Sequence, residues 1–496
     1  MKRRGLSKTK ILSSLQCRKR LWLEVHRPEL IPEDIGRERL YAFGHDVGEM
    51  ARRLTPGGVL IEHQERLVDA LKETRRRLDK GGRQILFEAT IEYDGVLVRT
   101  DILELRRGKA SIREVKASGS LKDHHLSDAA IQTWVLGSAG LKVDAVSIQH
   151  IDTEFVYPGD ENYLGLFTEV PIANDVKPLL KQVPEWVAEA RRTLAGREPK
   201  IGMGKQCSDP YPCPFVKYCT GLVPTVDLPL TLLPFAGKTI PGLEAEGFKT
   251  LRDIPEGRLK SEAQERVRRA HVKVERYFDP AVGKLMREFR YPRTFFDFET
   301  VGFAVPIWRG TSPFQQIPFL WSMHVEGPRA KTTHHEFLDL SGELPAKALV
   351  DAMLAVIPDE GPVFAYNAAF ENSRLEELGN LLPARRRALE RVRDRLVDLY
   401  PITRKHYYHP DMRGSWSLKA VMPTIPGGQE YDLLEEVRDG GAAQDAYFEA
   451  IYPETSPQRR RELEIALRRY CKHDTESLLV LSRFLQGGLP EKKEPI

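Results

Sequence analysis

The sequence predicts an α/β multidomain protein in which two larger α/β segments are joined by a small helical one. Three observations lead there. Residues 1–222 alternate strand-like and helix-like hydrophobic patterns. A passage punctuated by Pro224, Pro229 and Pro234 follows, and it suits an extended connector because each proline disfavours helix at the residue before it. A new strand pattern then opens at Arg293 in RTFFDFET. The expected segments are 1–222, a linker with short helices over 223–290, and a second α/β region over 291–490.

Composition agrees with this division. A length of 496 residues fits about three domains at roughly 150 residues each. Hydrophobic residues at 41% and charged residues at 29% exclude a disordered or fibrous chain. An uncharged, largely apolar stretch such as Ala129–Leu141 is too short to cross a bilayer. The basic start MKRRGLSKTK is followed by no apolar signal core, so a cytoplasmic protein without a membrane partner is expected. A net charge of +4 leaves room for a basic groove and hence for nucleic acid. Five cysteines are too few for a disulfide scaffold at this length, which leaves metal or core chemistry.

In the first segment, ILFEATIEYDGVLVRTDILELRRGKASIREVKAS reads as three strands turning at Asp94-Gly95 and Arg107-Gly108. Glu114 and Lys116 share one face of the third strand, and Asp101 lies on its neighbour. Adjacent carboxylates repel. Mg²⁺ relieves this with hard oxygen ligation and retains waters, one of which can attack a phosphodiester. An ammonium group beside that water positions it. A solvated strand face is the alternative reading. The order Asp101, then Glu114-Val115-Lys116, resembles the D…ExK core of the PD-(D/E)xK nucleases. His45 in FGHDVGEMARRL and Gln132 in AAIQTWVLGSAG resemble the helix histidine and helix glutamine of the RecB-type branch, with Glu88 a further acidic neighbour. The resemblance implies a restriction-endonuclease-like core. His45, Asp101, Glu114, Lys116 and Gln132 would be catalytic there, with Asp101 and Glu114 holding Mg²⁺ or Mn²⁺.

Cys207, Cys213 and Cys219 cluster in KQCSDPYPCPFVKYCTG, and Cys17 lies far upstream in SSLQCRKRLWLE. Four thiolates suit a [4Fe–4S] cluster or a structural zinc, and spacing alone does not separate these. One bound group would tie the N-terminal helix to the end of the segment and couple its binding to folding. The arrangement resembles the iron–sulfur subset of RecB-type nucleases, including the CRISPR-associated exonucleases and the AddB nuclease domain, and this implies a [4Fe–4S] cluster. The Asp-Pro-Tyr-Pro insertion between Cys207 and Cys213 departs from the tighter CxxC frequent in those families. Cys471 is expected to be plain core, and Arg18, Lys19 and Arg20 to be either phosphate contacts or a solvated turn.

In the third segment, Asp297 and Glu299 share a face of an aromatic-rich strand. PVFAYNAAFENSRLEELG reads as strand, turn and helix, with Asn367 at the strand end and Glu371 at the helix start. Tyr470 and Asp474 lie four apart on a periodic helix and are neighbours there. Four acids converging on one cleft can hold two metals. The pattern resembles the DnaQ-like 3′–5′ exonucleases of the RNase H-like fold: DFE is similar to their first motif, YNAAFE to their second and YCKHD to the tyrosine form of their third. Glu371 occupies a position that is usually aspartate, and Asp398 is either an auxiliary acid or a cap. The resemblance implies that Asp297, Glu299, Glu371 and Asp474 bind Mg²⁺ or Mn²⁺ and that Tyr470 assists.

The middle TIPGLEAEGFKTLRDIPEG faintly resembles half of a helix-hairpin-helix, but an ordinary helical spacer is the reading preferred for it. The whole chain, opening with LSKTKILSSLQCRKRLWLEVHRPEL, resembles an uncharacterised bacterial family with this domain order. The expectation is a two-headed, metal-dependent nuclease, a DNA exonuclease processing single strands or ends, with a helicase or defence system as candidate partners. An RNA 3′–5′ exonuclease and an inactive nucleic-acid-binding adaptor are the alternatives.

Overall fold

The computed structural model describes residues 5–32, 35–62, 66–222, 226–429, 431, 434 and 436–487, with backbone alone for 35–43. Pro224 and the charged tail KKEPI lie outside the described residues. The chain is mixed α/β and divides into two compact units. One comprises Met1–Pro224 with Phe303–Gln315, the other Thr225–Gly302 with Gln316–Ile496. The expected linker and helical segment, 223–290, falls almost wholly in the second unit. Residues 303–315, expected in the third segment, pack with the first. Their apolar side chains account for this: Ala304, Val305 and Phe314 join a cluster with Ile151, Tyr157, Tyr163 and Leu166. Tyr163 Oη also donates to the Pro306 carbonyl at 3.1 Å.

The first unit is built on strands β1 (Leu6–Ser7), β2 (Gly58–Leu60), β3 (Gln84–Tyr93), β4 (Val96–Arg106), β5 (Lys109–Lys116), β6 (Val143–Ile151) and β7 (Phe167–Pro171). They form one sheet in the order β2-β3-β4-β5-β6-β7, with β1 added on β4. The hairpins β3–β4 and β4–β5 close where expected. Asp94 and Gly95 take φ of 47° and 70°, and Arg107 and Gly108 take 52° and 73°. Paired positive φ values give the turn whose twist matches that of the strands. β5 and β6 are parallel, so a crossover is required, and the helix Asp123–Ser138 supplies it, burying Ala129, Ala130, Ile131, Val135 and Leu136.

One edge of β4 is shared. β1 pairs with it at Val96 and Leu97, whereas β5 pairs with it from Ile102 to Arg106. Beyond Arg113, β5 leaves β4 but continues beside β6 as far as Lys116. Asp101 lies in the gap between these pairings, and Glu114 directly follows the last residue of β5 that pairs with β4.

The second unit begins with a small helical part that has its own apolar cluster, including Leu230, Leu233, Leu243, Leu251 and Ile254. A short ribbon pairs β8 (Tyr277–Phe278) with β14 (Tyr407–Tyr408). The main sheet contains β9 (Arg293–Val301), β10 (Ile317–Glu326), β11 (Thr332–Leu338), β12 (Val363–Ala365) and β13 (Leu396–Asp398), in the order β11-β10-β9-β12-β13. The first three strands are antiparallel, while β12 and β13 run parallel to β9. β9 is buried along nearly its whole length, as expected of a central strand covered on both faces. Phe296 and Phe298 pack into one apolar cluster. The alternate residues Asp297 and Glu299 therefore face the other way, the side on which the helix Pro457–Gly487 packs against β9.

Candidate functional site

The splayed end of β4 and β5 creates the first cluster. Past the last β4–β5 pair, the Val115 N–H donates to Asp101 Oδ2 at 2.7 Å, so a side chain takes the place of a strand partner. Glu114, 2% exposed, accepts from Lys116 Nζ at 2.8 Å and from Gln132 Nε2 at 2.6 Å. Asp101, Glu114, Lys116 and Gln132 are thus brought together. Two residues not foreseen complete the set. Lys8 Nζ lies 2.7 Å from Glu114 Oε1 and 2.7 Å from Asp128 Oδ1. Asp128 also accepts from Lys116 at 2.5 Å and from Gln132 at 3.0 Å. Asp128 was readable in principle, since it stands one helical turn before Gln132. Lys8 carried no such signal.

Two ammonium groups therefore bridge two buried carboxylates. Burial opposes the charge on each group, but the Lys116 and Lys8 charges hold the Asp128 carboxyl well below the usual range. Burial likewise works against the two lysines, yet Asp128 and Glu114 keep both above the ordinary lysine value. Asp101 stands apart: burial, then the Glu114 charge, pushes it up. Glu88 contributes to that upward push and has a φ of 57° inside β3, where the ladder skips from Phe87 to Ala89. Such a left-handed, non-glycine residue costs on the order of 1–3 kcal/mol and occurs preferentially at functional sites. Arg52 approaches Glu88 at 3.5 Å. His45 is placed differently from the other candidates. It is exposed on the helix Ile35–Arg53, faces its neighbour Asp46 at 3.9 Å and takes no part in the hydrogen-bonded set.

Cys17, Cys207, Cys213 and Cys219 all line one small cavity, and none is in a disulfide. Cys17 caps the C-terminal end of the helix Lys8–Gln16. Gln16 Nε2 donates to the Gln206 and Tyr211 carbonyls at 2.8 and 2.6 Å, which fastens this helix to the cysteine loop. Burial pushes the Cys213 and Cys219 thiols up. Four free sulfurs around one cavity are a donor set suited to a soft metal or an iron–sulfur group. The basic turn after Cys17 is committed to ion pairs, Arg18 with Glu189, Lys19 with Glu198 and Arg20 with Glu24.

The second cluster lines a cleft of about 610 Å³ in the second unit. β9 supplies Asp297 and Glu299, the start of the helix Ala369–Leu381 supplies Glu371, and the helix Pro457–Gly487 supplies Tyr470 and Asp474. Asn367, at a φ of 61°, makes the turn that delivers Glu371. Tyr431 was not foreseen: its hydroxyl donates to Asp474 Oδ1. Lys419 is the single cationic side chain among the lining residues. Gly440 opens a helix so near the site that a Cβ there would lie 3.6 Å from Glu299 Oε2. Cys471, expected as plain core, is buried but also faces Asp297 Oδ2 at 3.8 Å. Asp398 caps the helix Leu399–His406 through the Tyr400 N–H.

Here the acids push one another up. Burial comes first, then Asp474 and Glu299 raise Asp297, while Asp474 and Glu371 raise Glu299. Burial lifts Glu371 to about 8 and Asp474 to about 6, the latter despite hydrogen bonds from Tyr431 and Tyr470. Glu371 Oε2 is buried with no hydrogen-bond partner among the described residues. Ligand atoms of Asp297, Glu299 and Cys471 lie within 4.8 Å of one another. An orphaned carboxylate oxygen among mutually repelling acids fits a hard divalent cation. The first cluster does not fit one as arranged, because Lys8 and Lys116 already bridge Glu114 and Asp128 and leave Asp101 as its unbridged carboxylate.

No helix among the described residues is long and apolar enough to cross a membrane. Residues 294–417 match a family described as "Domain of unknown function (DUF2779)". That span takes in Asp297, Glu299 and Glu371 and ends before Tyr431, Tyr470 and Asp474. The chain is also similar to an "Uncharacterized protein MG366 homolog" of Mycoplasma pneumoniae (strain ATCC 29342 / M129 / Subtype 1), with 24% identity over 220 residues. The match covers 40% of this chain and 33% of the relative, so the chain spans about a third of the length of the curated protein it matches.

Proposed function

We propose that the chain is a metal-dependent nuclease that hydrolyses phosphodiester bonds, in DNA before RNA, as an exonuclease working on single strands or ends. The observation that carries this reading is the second cleft. Four carboxylates and three tyrosines from separated parts of the chain converge there, and one buried carboxylate oxygen has no hydrogen-bond partner among the described residues. Asp297, Glu299, Glu371 and Asp474 would hold Mg²⁺ or Mn²⁺, whose chemistry is to acidify bound water and to neutralise phosphate oxygens. The Tyr431 hydroxyl orients Asp474. The Lys419 ammonium offers positive charge to a phosphate in the cleft. The strand order with β9 central supports an RNase H-like, DnaQ-like assignment of this unit, and the β3-β4-β5 hairpins followed by a crossover helix and β6 support a PD-(D/E)xK assignment of the other.

For the cysteine cavity we propose a [4Fe–4S] cluster, with zinc as the alternative. Tetrahedral zinc at about 2.3 Å from each sulfur draws the sulfurs to about 3.8 Å from one another. Among the described residues, the cysteines do not form a trio within 4.8 Å, which favours the larger group. A visible absorption spectrum of anaerobically purified protein distinguishes the two, since zinc leaves the protein colourless.

The functional test is to substitute Asp297→Asn and Asp101→Asn separately and to assay end-labelled single-stranded DNA, duplex DNA and RNA with Mg²⁺ or Mn²⁺. Loss of metal-dependent cleavage in Asp297→Asn supports the reading; wild-type protein that cuts none of these substrates overturns it. A second reading is favoured by the lysine-bridged first cluster: the second unit cuts while the first binds nucleic acid as a scaffold. It requires that Asp101→Asn leave cleavage unchanged.

A further inference from the structure

We infer that Lys8 occupies the cation seat of the first carboxylate cluster and must withdraw before that cluster can take a divalent metal ion. The inference rests on the proposed nuclease reading only in treating this cluster as a metal centre.

Accounting for the hydrogen-bond acceptors leads there. Glu114 Oε1 receives two ammonium groups, from Lys8 at 2.7 Å and Lys116 at 2.8 Å, and Glu114 Oε2 receives Gln132 at 2.6 Å. Asp128 Oδ1 receives Lys8 at 2.7 Å and Gln132 at 3.0 Å, and its Oδ2 receives Lys116 at 2.5 Å. An oxygen that accepts two ammonium protons has committed both lone pairs, so a metal ion joins Glu114 Oε1 only if one ammonium leaves. Lys116 sits two residues along the same strand and was expected to act beside the metal. Lys8 comes from a different element, more than a hundred residues away in sequence, and is the separable one.

Its placement is built rather than incidental. Leu6 and Ser7 pair with Val96 and Leu97 of β4, the same strand that carries Asp101. The Ser7 hydroxyl caps the next helix by accepting the Lys10 N–H at 3.3 Å, which makes Lys8 the first helical residue. Leu6 and Ile11 on either side are buried. The other end of this nine-residue helix is Cys17 in the sulfur-lined cavity, with Gln16 fastened to the cysteine loop. The helix that places Lys8 therefore runs from the carboxylates to the cysteines. A lysine on a loose terminal strand could visit the carboxylates by chance; one fixed by strand pairing, a cap and a distal anchor is held there.

The test measures metal binding directly. Full-length protein carrying Asp297→Asn and Asp474→Asn silences the second cleft, and Mn²⁺ binding is read by electron paramagnetic resonance in that background. Lys8→Ala is expected to tighten Mn²⁺ binding at least tenfold, while Lys8→Arg, which keeps the charge, leaves it as weak as with Lys8. Adding Asp101→Asn to Lys8→Ala should remove the gain, and Mn²⁺ should raise the melting temperature of Lys8→Ala more than that of the Lys8 protein. Unchanged or weaker binding in folded Lys8→Ala, or a gain that survives Asp101→Asn, overturns the inference. A gain in binding without cleavage in this background supports the inference and agrees with the reading in which the second unit alone cuts; the nuclease reading fails separately, if wild-type protein cuts none of the substrates.

Discussion

The two carboxylate clusters use the same residue types and solve their electrostatics in opposite ways. In the first, Lys8 and Lys116 bridge Glu114 and Asp128, so burial is offset within the chain. In the second, Asp297, Glu299, Glu371 and Asp474 face one cleft in which Lys419 is the single cation among the described lining residues, and the acids raise each other's pKa. A buried carboxylate must be paired, protonated or bound to a cation. In the first cluster Glu114 and Asp128 are paired and Asp101 is pushed up; the second cluster is left to proton or metal. The same mutation should therefore do different things in the two units.

The largest effect is expected on catalysis at the second cluster. A metal that neutralises transition-state charge is worth several kcal/mol, and about 1.4 kcal/mol corresponds to tenfold in rate. Asp297→Asn should lower the metal-dependent cleavage rate by about 10³-fold or more, measured by single-turnover digestion of a labelled oligonucleotide, with little loss of metal-free stability. A drop below tenfold would place the chemistry elsewhere.

Stability should separate the clusters next. Glu114→Gln leaves two buried ammonium groups short of one partner, and breaking a buried pair in this way costs about 3–5 kcal/mol. Glu371→Gln removes a carboxylate whose pKa stands at about 8. At pH 9 in chelator it should stabilise the protein by at least about 1 kcal/mol, because one pKa unit is worth about 1.4 kcal/mol. Urea unfolding followed by hydrogen exchange in peptides from each unit reads both. Destabilisation by both substitutions would erase the contrast.

The pH response follows with a definite sign. Glu371 and Asp474 are raised in the fold, to about 8 and about 6. The folded state therefore binds their protons more tightly than the unfolded chain does, and their contribution is full below ordinary carboxylate pKa values and lost as pH rises through the raised ones. Metal-free protein should lose protection in the second unit between about pH 5.5 and 8.5, and Mn²⁺ should restore it. Asp128 is depressed and Lys8 and Lys116 are raised. Their contribution is lost only at acid pH for Asp128 and above the ordinary lysine range for the two lysines. The bridged set of Lys8, Lys116 and Asp128 should stay flat across the same window, while Asp101, which burial and Glu114 also push up, adds a loss of the same sign as that of the second unit.

The sequence was most legible where the determinants are local. The β3-β4-β5 hairpins follow from alternating apolar residues and from Asp-Gly and Arg-Gly turns that take the required positive φ. Asp297 and Glu299 were readable because two residues apart in a strand means one face, and Tyr470 and Asp474 because four apart in a helix does. Partners arriving from far along the chain were not readable. Lys8 reaches Glu114, Tyr431 reaches Asp474, and residues 303–315 leave one unit to pack in the other, and nothing periodic announces any of these. His45 shows the converse: a motif placed it on the expected helix, yet its side chain is exposed and outside the hydrogen-bonded set.

The smallest expected effect probes how firmly the first cluster is held. Ser7 contacts no carboxylate; it accepts the Lys10 N–H and so sets where the helix of Lys8 begins. Ser7→Ala removes an N-cap, a loss of about 1 kcal/mol in typical cases. A mere cap would lower stability by that amount and leave metal binding alone. If the helix start instead fixes the Lys8 ammonium on Glu114 and Asp128, Ser7→Ala should also tighten Mn²⁺ binding at the first cluster, by less than Lys8→Ala does. In the second cluster, where among the described residues no ammonium sits on an acid that must give way, removing a comparable cap should not tighten Mn²⁺ binding. Asp439, which caps the helix Gly440–Ile451 through the Ala442 N–H, is that comparison. Asp439→Ala should cost a similar amount of stability and leave Mn²⁺ binding the same or weaker. Tighter binding in both variants would mean that loosening any nearby helix admits metal, and the contrast between a lysine-filled and an open cluster would fail.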